Sequence, residues 1–225
     1  MLARLYAIGA ALFLAVLPAS SSLADTPSGY VICSDQQYAL CASADAFIYQ
    51  EVSYAKCIVK NGDSISAPPL YYTEKGKMKD ICNFNASGKG NGFMASTFSL
   101  PEEVVKGGSK ALYTCPGGST GAYAQCDGGT CFTSTRGQRF PGLGQLGNDE
   151  IICSCPITRP TTSDAPFGYQ FIGPYPCDNR VFSYCTQNAQ NGDIVPVGSP
   201  PGSGRALTMA LYGNVPPLNR CDPPK

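Results

Sequence analysis

The chain has 225 residues, and its 16 Lys and Arg residues balance 16 Asp and Glu residues, giving a formal net charge of zero. This balance excludes the strongly basic composition with which nucleic-acid-binding domains attract phosphates. Only 14% of the residues are charged, while 25 are Gly and 19 are Pro, a composition typical of turn-rich rather than helical proteins.

Residues 1–24 have the pattern of a secretory signal peptide. Arg4 precedes an apolar run over residues 5–16, and the small residues Ser22 and Ala24 precede a predicted cleavage site. The run is shorter than the roughly 20 residues of a spanning helix, so we expect cleavage rather than a membrane anchor. The sequence therefore predicts a secreted or periplasmic protein with no membrane span after cleavage.

All twelve cysteines follow the predicted cleavage site. They are Cys33, Cys41, Cys57, Cys82, Cys115, Cys126, Cys131, Cys153, Cys155, Cys177, Cys185 and Cys221. An even number of cysteines in an exported chain predicts structural disulfides, although the spacing does not give their connectivity. A zinc site is the alternative, but the chain has no histidine and no C-x2-C pair. We therefore predict no metal and no cofactor.

Residues 25–110 form the first predicted module. Residues 29–33 and 38–59 are rich in aromatic and β-branched residues, which favours strands. Asn61-Gly62 is a strong hairpin signal and predicts a tight turn at that position. A short helix is expected from Pro101 to about Lys106, before two glycines.

Residues 111–157 form a central module that holds five of the twelve cysteines. Residues 111–115 and 150–157 predict strands. The Gly-rich stretch between Arg136 and Asp149 is long and polar, so we expect it to lie outside the core.

Residues 158–225 form a third module, rich in aromatic residues and proline. Leu207, Met209 and Leu211 alternate with other residues, which predicts a strand. The three segments together predict a mainly β, disulfide-rich fold with short helices, built from two or three related cysteine-pinned β modules. A single domain over residues 25–225 is the alternative.

Two stretches of the chain are similar to each other. Residues 38–47 read YALCASADAF and residues 123–132 read YAQCDGGTCF, with Ala46 in the position of Cys131. This similarity suggests one supersecondary unit used twice, with chance in a Gly-, Ala- and Cys-rich chain as the alternative. The Y-A-x-C elements and the C-x-C-P element at residues 153–156 resemble the cysteine patterns of exported bacterial proteins with no established activity. The resemblance implies export and disulfides, and it implies no site.

The absence of histidine excludes most of the common catalytic arrangements. A Ser-His-Asp triad, a Cys-His dyad and a histidine general base all need that residue. Paired carboxylates remain, and the candidates are Asp127, Asp149 and Glu150, which are otherwise a turn residue and a solvated loop end. The Cys153-Ser154-Cys155 element lacks the C-x-x-C spacing of a redox site, so we interpret it as structural.

Aromatic and basic side chains are the candidates for a binding surface. Exposed aromatic residues suit contacts with a partner, whereas the alternative is that they form core. The aromatic candidates are Phe167, Tyr169, Phe171 and Tyr175, with Phe182 nearby. Arg136 and Arg139 are candidates for contact with an anionic partner, or are simply solvated.

These observations favour a binding or interaction protein, without catalysis, whose partner is an unidentified protein or cell-envelope component and not nucleic acid. A hydrolase with paired carboxylates is one alternative. A secreted inhibitor or effector is another, because a loop held by disulfides is preorganised for a partner.

Overall fold

The structure is a computed structural model that describes residues 30–67, 71–74, 77–88, 92–160 and 168–223. The predicted signal peptide and Phe167 lie outside these residues. The described chain contains sixteen strands and two α-helices, which confirms the predicted mainly β fold. Within that part of the chain, no helix is long and apolar enough to cross a membrane.

The described chain also contains three short 3-10 helices at Glu102–Val104, Thr133–Thr135 and Val181–Cys185. The bounds of the strands and α-helices are β1 (Val31–Leu40), β2 (Asp45–Tyr49), β3 (Val52–Ser66), β4 (Tyr71–Glu74), β5 (Lys77–Asp80), α1 (Ile81–Gly88), β6 (Phe93–Ala95), β7 (Ala111–Cys115), β8 (Tyr123–Ala124), β9 (Thr130–Phe132), β10 (Arg139–Phe140), β11 (Gly144–Gln145), β12 (Glu150–Thr158), β13 (Tyr169–Gly173), β14 (Ile194–Pro196), β15 (Gly198–Ser199), α2 (Ser203–Tyr212) and β16 (Arg220–Cys221). The predicted strands at residues 111–115 and 150–157 correspond to β7 and β12, and the predicted short helix to the first 3-10 helix.

The larger sheet has eight strands, with the antiparallel pair β3 and β12 at its centre. Strands β1 and β2 pair with successive parts of β3, and β8 and β9 pair with β12. The outer strands are β14 beside β2 and β6 beside β9. Strands from all three predicted modules therefore share one sheet, and the boundaries at residues 110 and 157 do not separate independent sheets.

The second sheet has four strands in the order β15-β13-β7-β16 and packs around an aromatic core, while β4–β5 and β10–β11 each form a separate two-stranded sheet. Tyr169 and Phe171 of β13 are fully buried there, at 0% and 2% exposure. The ring of Tyr113 in β7 stacks on that of Phe171, with centroids 5.0 Å apart. Burial of these rings is the main apolar stabilisation of this layer.

The two similar stretches occupy equivalent places in the larger sheet. In each, the cysteine is bonded to a cysteine of a central strand, Cys41 to Cys57 in β3 and Cys126 to Cys155 in β12. Next along each stretch, Ala46 lies opposite Ala55, and Cys131 lies opposite Cys153. Ala55 and Cys153 are themselves paired across the centre of the sheet. An approximate twofold axis therefore passes between β3 and β12.

The two halves exchange their outer strands. Strand β6 follows the first half in the chain but pairs with β9 of the second. Strand β14 follows the second half but pairs with β2 of the first. Each half therefore obtains its outer strand from the other, so neither half completes its own set of strands.

Six disulfides use all twelve cysteines, which confirms the prediction of structural disulfides. They are Cys33–Cys82, Cys41–Cys57, Cys115–Cys185, Cys126–Cys155, Cys131–Cys153 and Cys177–Cys221. The sulfurs of Cys41, Cys57 and Cys153 lie within 4.8 Å of one another, but each is oxidised and so offers no thiolate to a metal.

The predicted hairpin turn at Asn61-Gly62 is wrong. Both residues lie inside β3, where Gly62 has a φ of 127° and faces Gln36 beside a register shift in β1. A Gly with positive φ serves a β-bulge as well as a turn, so the local signal does not distinguish the two. The tight turn lies instead between β2 and β3, at Gln50 and Glu51.

We expect Glu51→Gly to raise the free energy of unfolding by about 1 kcal/mol. Gln50 and Glu51 have positive φ values of 48° and 67°, the pattern of a type I′ turn, whose second position favours Gly. Urea unfolding at pH 7.5 measures the change. Gly62→Ala serves as the reciprocal control and should be destabilising, and a loss of stability in Glu51→Gly would contradict the turn assignment.

Two further sequence predictions are wrong, one for the segment around Leu207 and one for the Gly-rich stretch after Arg136. Residues 203–212 form α2 rather than a strand, and Gly202 and Gly213 flank this helix with left-handed backbone. The apparent alternation is also an i, i+4 helical spacing of Leu207 and Leu211. The stretch between Arg136 and Asp149 is not outside the core, because the β10–β11 hairpin buries Leu143 and Leu146.

Candidate functional site

A cavity of about 340 Å³ lies where the two sheets and α2 meet. Most of its lining is apolar and comes from separate elements. These side chains include Phe98, Leu100, Leu112, Ile172, Val197 and Leu218. Because the lining is drawn from many segments of the chain, no local sequence pattern marks the cavity.

Both halves of the larger sheet contribute to this cavity. Cys41 and Ala42 line it from the first half, and Cys126 and Asp127 occupy the equivalent positions in the second. The halves differ in polarity, because Asp127 stands where the first half has Ala42. The cavity therefore lies close to the approximate twofold axis but carries its acid on one side.

Asp127 is held rigidly at the cavity wall. Its backbone follows Cys126, which is bonded to Cys155, and a turn closes with Gly129 N donating to Cys126 O at 2.9 Å. Ser66 Oγ donates to Asp127 Oδ1 at 3.1 Å, and the Ala67 backbone N–H donates to Oδ2 at 2.7 Å. The carboxylate thus has a fixed position with respect to the cavity.

Burial raises the pKa of Asp127 to about 6, while the hydrogen bonds from Ala67 and Ser66 act in the opposite direction. Desolvation disfavours the charged form of a carboxyl group, and donors to the carboxylate favour it. The side chain is therefore mostly ionised at pH 7.5 and becomes protonated in mild acid.

Two polar atoms next to Asp127 in the cavity wall have no partner. Gln125 Oε1 and Thr97 Oγ1 are buried and accept or donate no hydrogen bond within the described residues. Both residues line the cavity. Both atoms are enclosed by protein and expose almost no surface to the cavity, so they give no evidence of an occupant.

Charge in the cavity is confined to three lining residues, Asp127, Arg205 and Arg220. The side chains of Arg205 in α2 and Arg220 in β16 are exposed. Within the described part of the chain, the ion pairs are Lys56–Glu150 and Arg180–Asp178, so neither arginine pairs with Asp127.

The structure does not bring Asp127 together with the other two candidate catalytic carboxylates, Asp149 and Glu150. Glu150 begins β12, and its side chain lies 3.4 Å from Lys56 Nζ and accepts a bond from the Gly147 N–H at 2.7 Å. Asp127 follows Cys126, which is bonded to Cys155 of β12. Cys155 lies five residues after Glu150 in that strand, which places the two positions about 16 Å apart at the usual rise per residue. Glycosidase carboxylates lie roughly 5–9.5 Å apart. Asp149 is exposed in the preceding loop, as the alternative interpretation held.

The predicted binding-surface residues fall into different surroundings. Tyr169 and Phe171 are buried core residues, and Phe171 also lines the cavity. Tyr175 is half-buried, and its hydroxyl donates to Asp45. Desolvation and the negative charge of Asp45 raise the pKa of Tyr175, so the phenol stays protonated. Its ring belongs to the aromatic core.

Arg136 and Arg139 are exposed on or beside the β10–β11 hairpin. The apolar side of that hairpin packs against Phe47 and Ile152, a cluster separate from the aromatic core. The structure therefore does not join the arginines and the aromatic candidates into one surface.

The cavity, rather than the predicted surface, is the best candidate site. The sequence marked Asp127 as a candidate for a carboxylate pair or else as a turn residue, and no sequence signal marked Thr97 or Gln125. Likeness to proteins of known structure or function adds no further site, because comparisons of this chain with protein-family models, with curated proteins and with solved structures found no match.

Proposed function

We propose that this protein is a secreted or periplasmic binding protein that takes a small, mainly apolar ligand into the cavity, without catalysis. The observation that carries the proposal is the apolar cavity with the Asp127 carboxylate in its wall. Ligand sites typically have this composition, with polar groups that set orientation and apolar walls that supply affinity.

The size of the cavity limits the ligand. Its volume of about 340 Å³ lies near the lower end of known ligand sites. An apolar cavity of about 150 Å³ accommodates benzene, so this one suits a molecule of about ten to fourteen non-hydrogen atoms.

The disulfides support the proposal in two ways. Six disulfides in one chain are typical of an oxidising compartment. Cys41 and Cys126 line the cavity, and their bridges to β3 and β12 fix its walls. A preformed site loses little conformational freedom when it binds, which favours affinity.

Neither alternative function has a supporting observation of this kind. Among the described lining residues, Asp127 is the only acid, so the cavity holds no carboxylate pair for hydrolysis. The β10–β11 hairpin lies in the loop that the Cys131–Cys153 disulfide closes, but it packs its apolar side chains inward rather than presenting them to a partner.

Binding of naphthalene tests the proposal. We expect saturable 1:1 binding, followed by ¹H–¹⁵N chemical-shift changes at cavity residues. Leu100→Trp should weaken it at least tenfold, because half-buried Leu100 lines the cavity and a larger ring fills it. Met209→Trp is the matched control, because Met209 lies outside the lining and is 42% exposed. Absence of saturable binding, or equal binding by the two variants, would contradict the proposal.

A further inference from the structure

We propose that the ligand carries a protonated amine that binds Asp127, while its apolar body fills the rest of the cavity. The inference rests on the proposed function and identifies the chemical class of the ligand. Its basis is the arrangement of charge and hydrogen-bonding groups in the cavity wall.

The carboxylate of Asp127 has no cationic partner in the described part of the chain. Its two bonds come from neutral donors, the Ser66 hydroxyl and the Ala67 N–H. Two carboxylate oxygens offer about four acceptor sites, so acceptor capacity remains. Buried charges in proteins are usually paired, because an unpaired one loses its hydration without compensation. A ligand ammonium group supplies the missing charge.

The hydrogen-bonding capacity of the carboxylate fits the same ligand. The ionised Asp127 side chain lines the cavity and only accepts hydrogen bonds. An ammonium group has three N–H donors and no acceptor. A wall that carries this carboxylate therefore matches an ammonium group better than it matches a carboxylate or phosphate.

The cations of the cavity do not offer an equivalent site for an anion. Arg205 and Arg220 have exposed side chains, so water already solvates their charge. An anionic ligand held there would place its apolar body against the Asp127 carboxylate and leave that charge unpaired. The cost of an unpaired buried charge favours the opposite orientation, with the amine inside.

The two halves of the larger sheet contribute different residues to the cavity wall, and this difference limits the ligand to one amine inside the cavity. The first half has Ala42 where the second has Asp127, and both line the cavity. A second ammonium group near Ala42 would be desolvated without a counter-charge. The wall therefore favours a monoamine over a diamine of the same length.

Matched eight-carbon probes test the inference by calorimetric titration at pH 7.5. The probes are octylamine, octan-1-ol and octanoate, which differ in the charge of the head group. We expect octylamine to bind at least tenfold more tightly than octan-1-ol and octanoate, and 1,8-diaminooctane to bind more weakly than octylamine. In Asp127→Asn the preference for octylamine over octan-1-ol should fall to about one. Glu102→Gln, which removes an exposed carboxylate outside the lining, should keep the preference.

Wild-type protein gives an independent readout that does not depend on a variant. The preference for octylamine should decline as the pH falls from 7.5 to 4.5, because Asp127 becomes protonated. The other charged residues of the lining are Arg205 and Arg220, and arginine stays protonated over this range.

The outcomes separate this inference from the proposed function. Equal binding of octylamine and octan-1-ol, or tighter binding of octanoate, would overturn the amine inference and leave an apolar binding site. A preference that survives in Asp127→Asn would also overturn it. If neither these probes nor naphthalene bind, the proposed function itself is wrong.

Discussion

The double variant Cys115→Ala/Cys185→Ala is expected to lose about 4 kcal/mol of unfolding free energy, because this disulfide closes a long loop. The two cysteines are 70 residues apart, the largest separation among the six disulfides. A cross-link restricts the unfolded chain more when the loop is longer. The bridge also anchors β7, which carries Leu112 of the cavity wall, to the 3-10 helix at Val181–Cys185.

The comparison with a short loop makes this prediction specific. Cys41 and Cys57 are only 16 residues apart, so Cys41→Ala/Cys57→Ala should cost about 3 kcal/mol by the same argument. Urea unfolding under non-reducing conditions measures both variants. If Cys41→Ala/Cys57→Ala lost more unfolding free energy than Cys115→Ala/Cys185→Ala, then lost native contacts rather than loop closure would dominate the effect.

Asp127 is expected to make the protein less stable as the pH rises from about 4 to about 7. Its pKa in the folded protein is about 6, against an ordinary value of 3.8. The folded state therefore holds the proton more tightly than the unfolded state does. This contribution to stability is complete below pH 4 and is lost as the pH rises through 6.

The shift corresponds to about 3 kcal/mol at 1.36 kcal/mol per pKa unit, which partial exposure of the residue reduces to about 2 kcal/mol. Unfolding of the wild type and of Asp127→Asn between pH 4 and 8 measures it. The wild type should lose about 2 kcal/mol relative to the variant over this range, and Glu102→Gln should show no such step. Parallel curves for the wild type and Asp127→Asn would contradict the assignment of the buried charge.

The two properties of Asp127 are connected through the proposed ligand. An unpaired carboxylate at the cavity wall lowers stability at neutral pH, and a bound ammonium group would compensate for it. A site that lowers stability while it is empty is common where function requires a particular charge. Octylamine should therefore stabilise the wild type more than it stabilises Asp127→Asn in the same unfolding experiment.

The sequence by itself determined the fold class and the role of the cysteines. An even set of cysteines and a turn-rich, weakly charged composition are sufficient to predict a disulfide-rich β protein. The strands at residues 111–115 and 150–157 were predictable because their β-branched and aromatic residues favour extended backbone. The similarity of residues 38–47 and 123–132 indicated the repeat that the sheet pairs around its approximate twofold axis.

Only the tertiary structure decided the features on which function depends. The exchange of β6 and β14 between the two halves, the six pairings and the bulge in β1 opposite Gly62 are set by contacts between residues far apart in the chain. Local propensity cannot specify such contacts. The strand predicted from Leu207, Met209 and Leu211 failed for a different reason, because the same residues also have a helical spacing. The environment of Asp127 is the clearest case. Its sequence neighbours make it a turn residue, and only the packing of Ser66, Ala67 and the second sheet makes it a buried charge in a cavity.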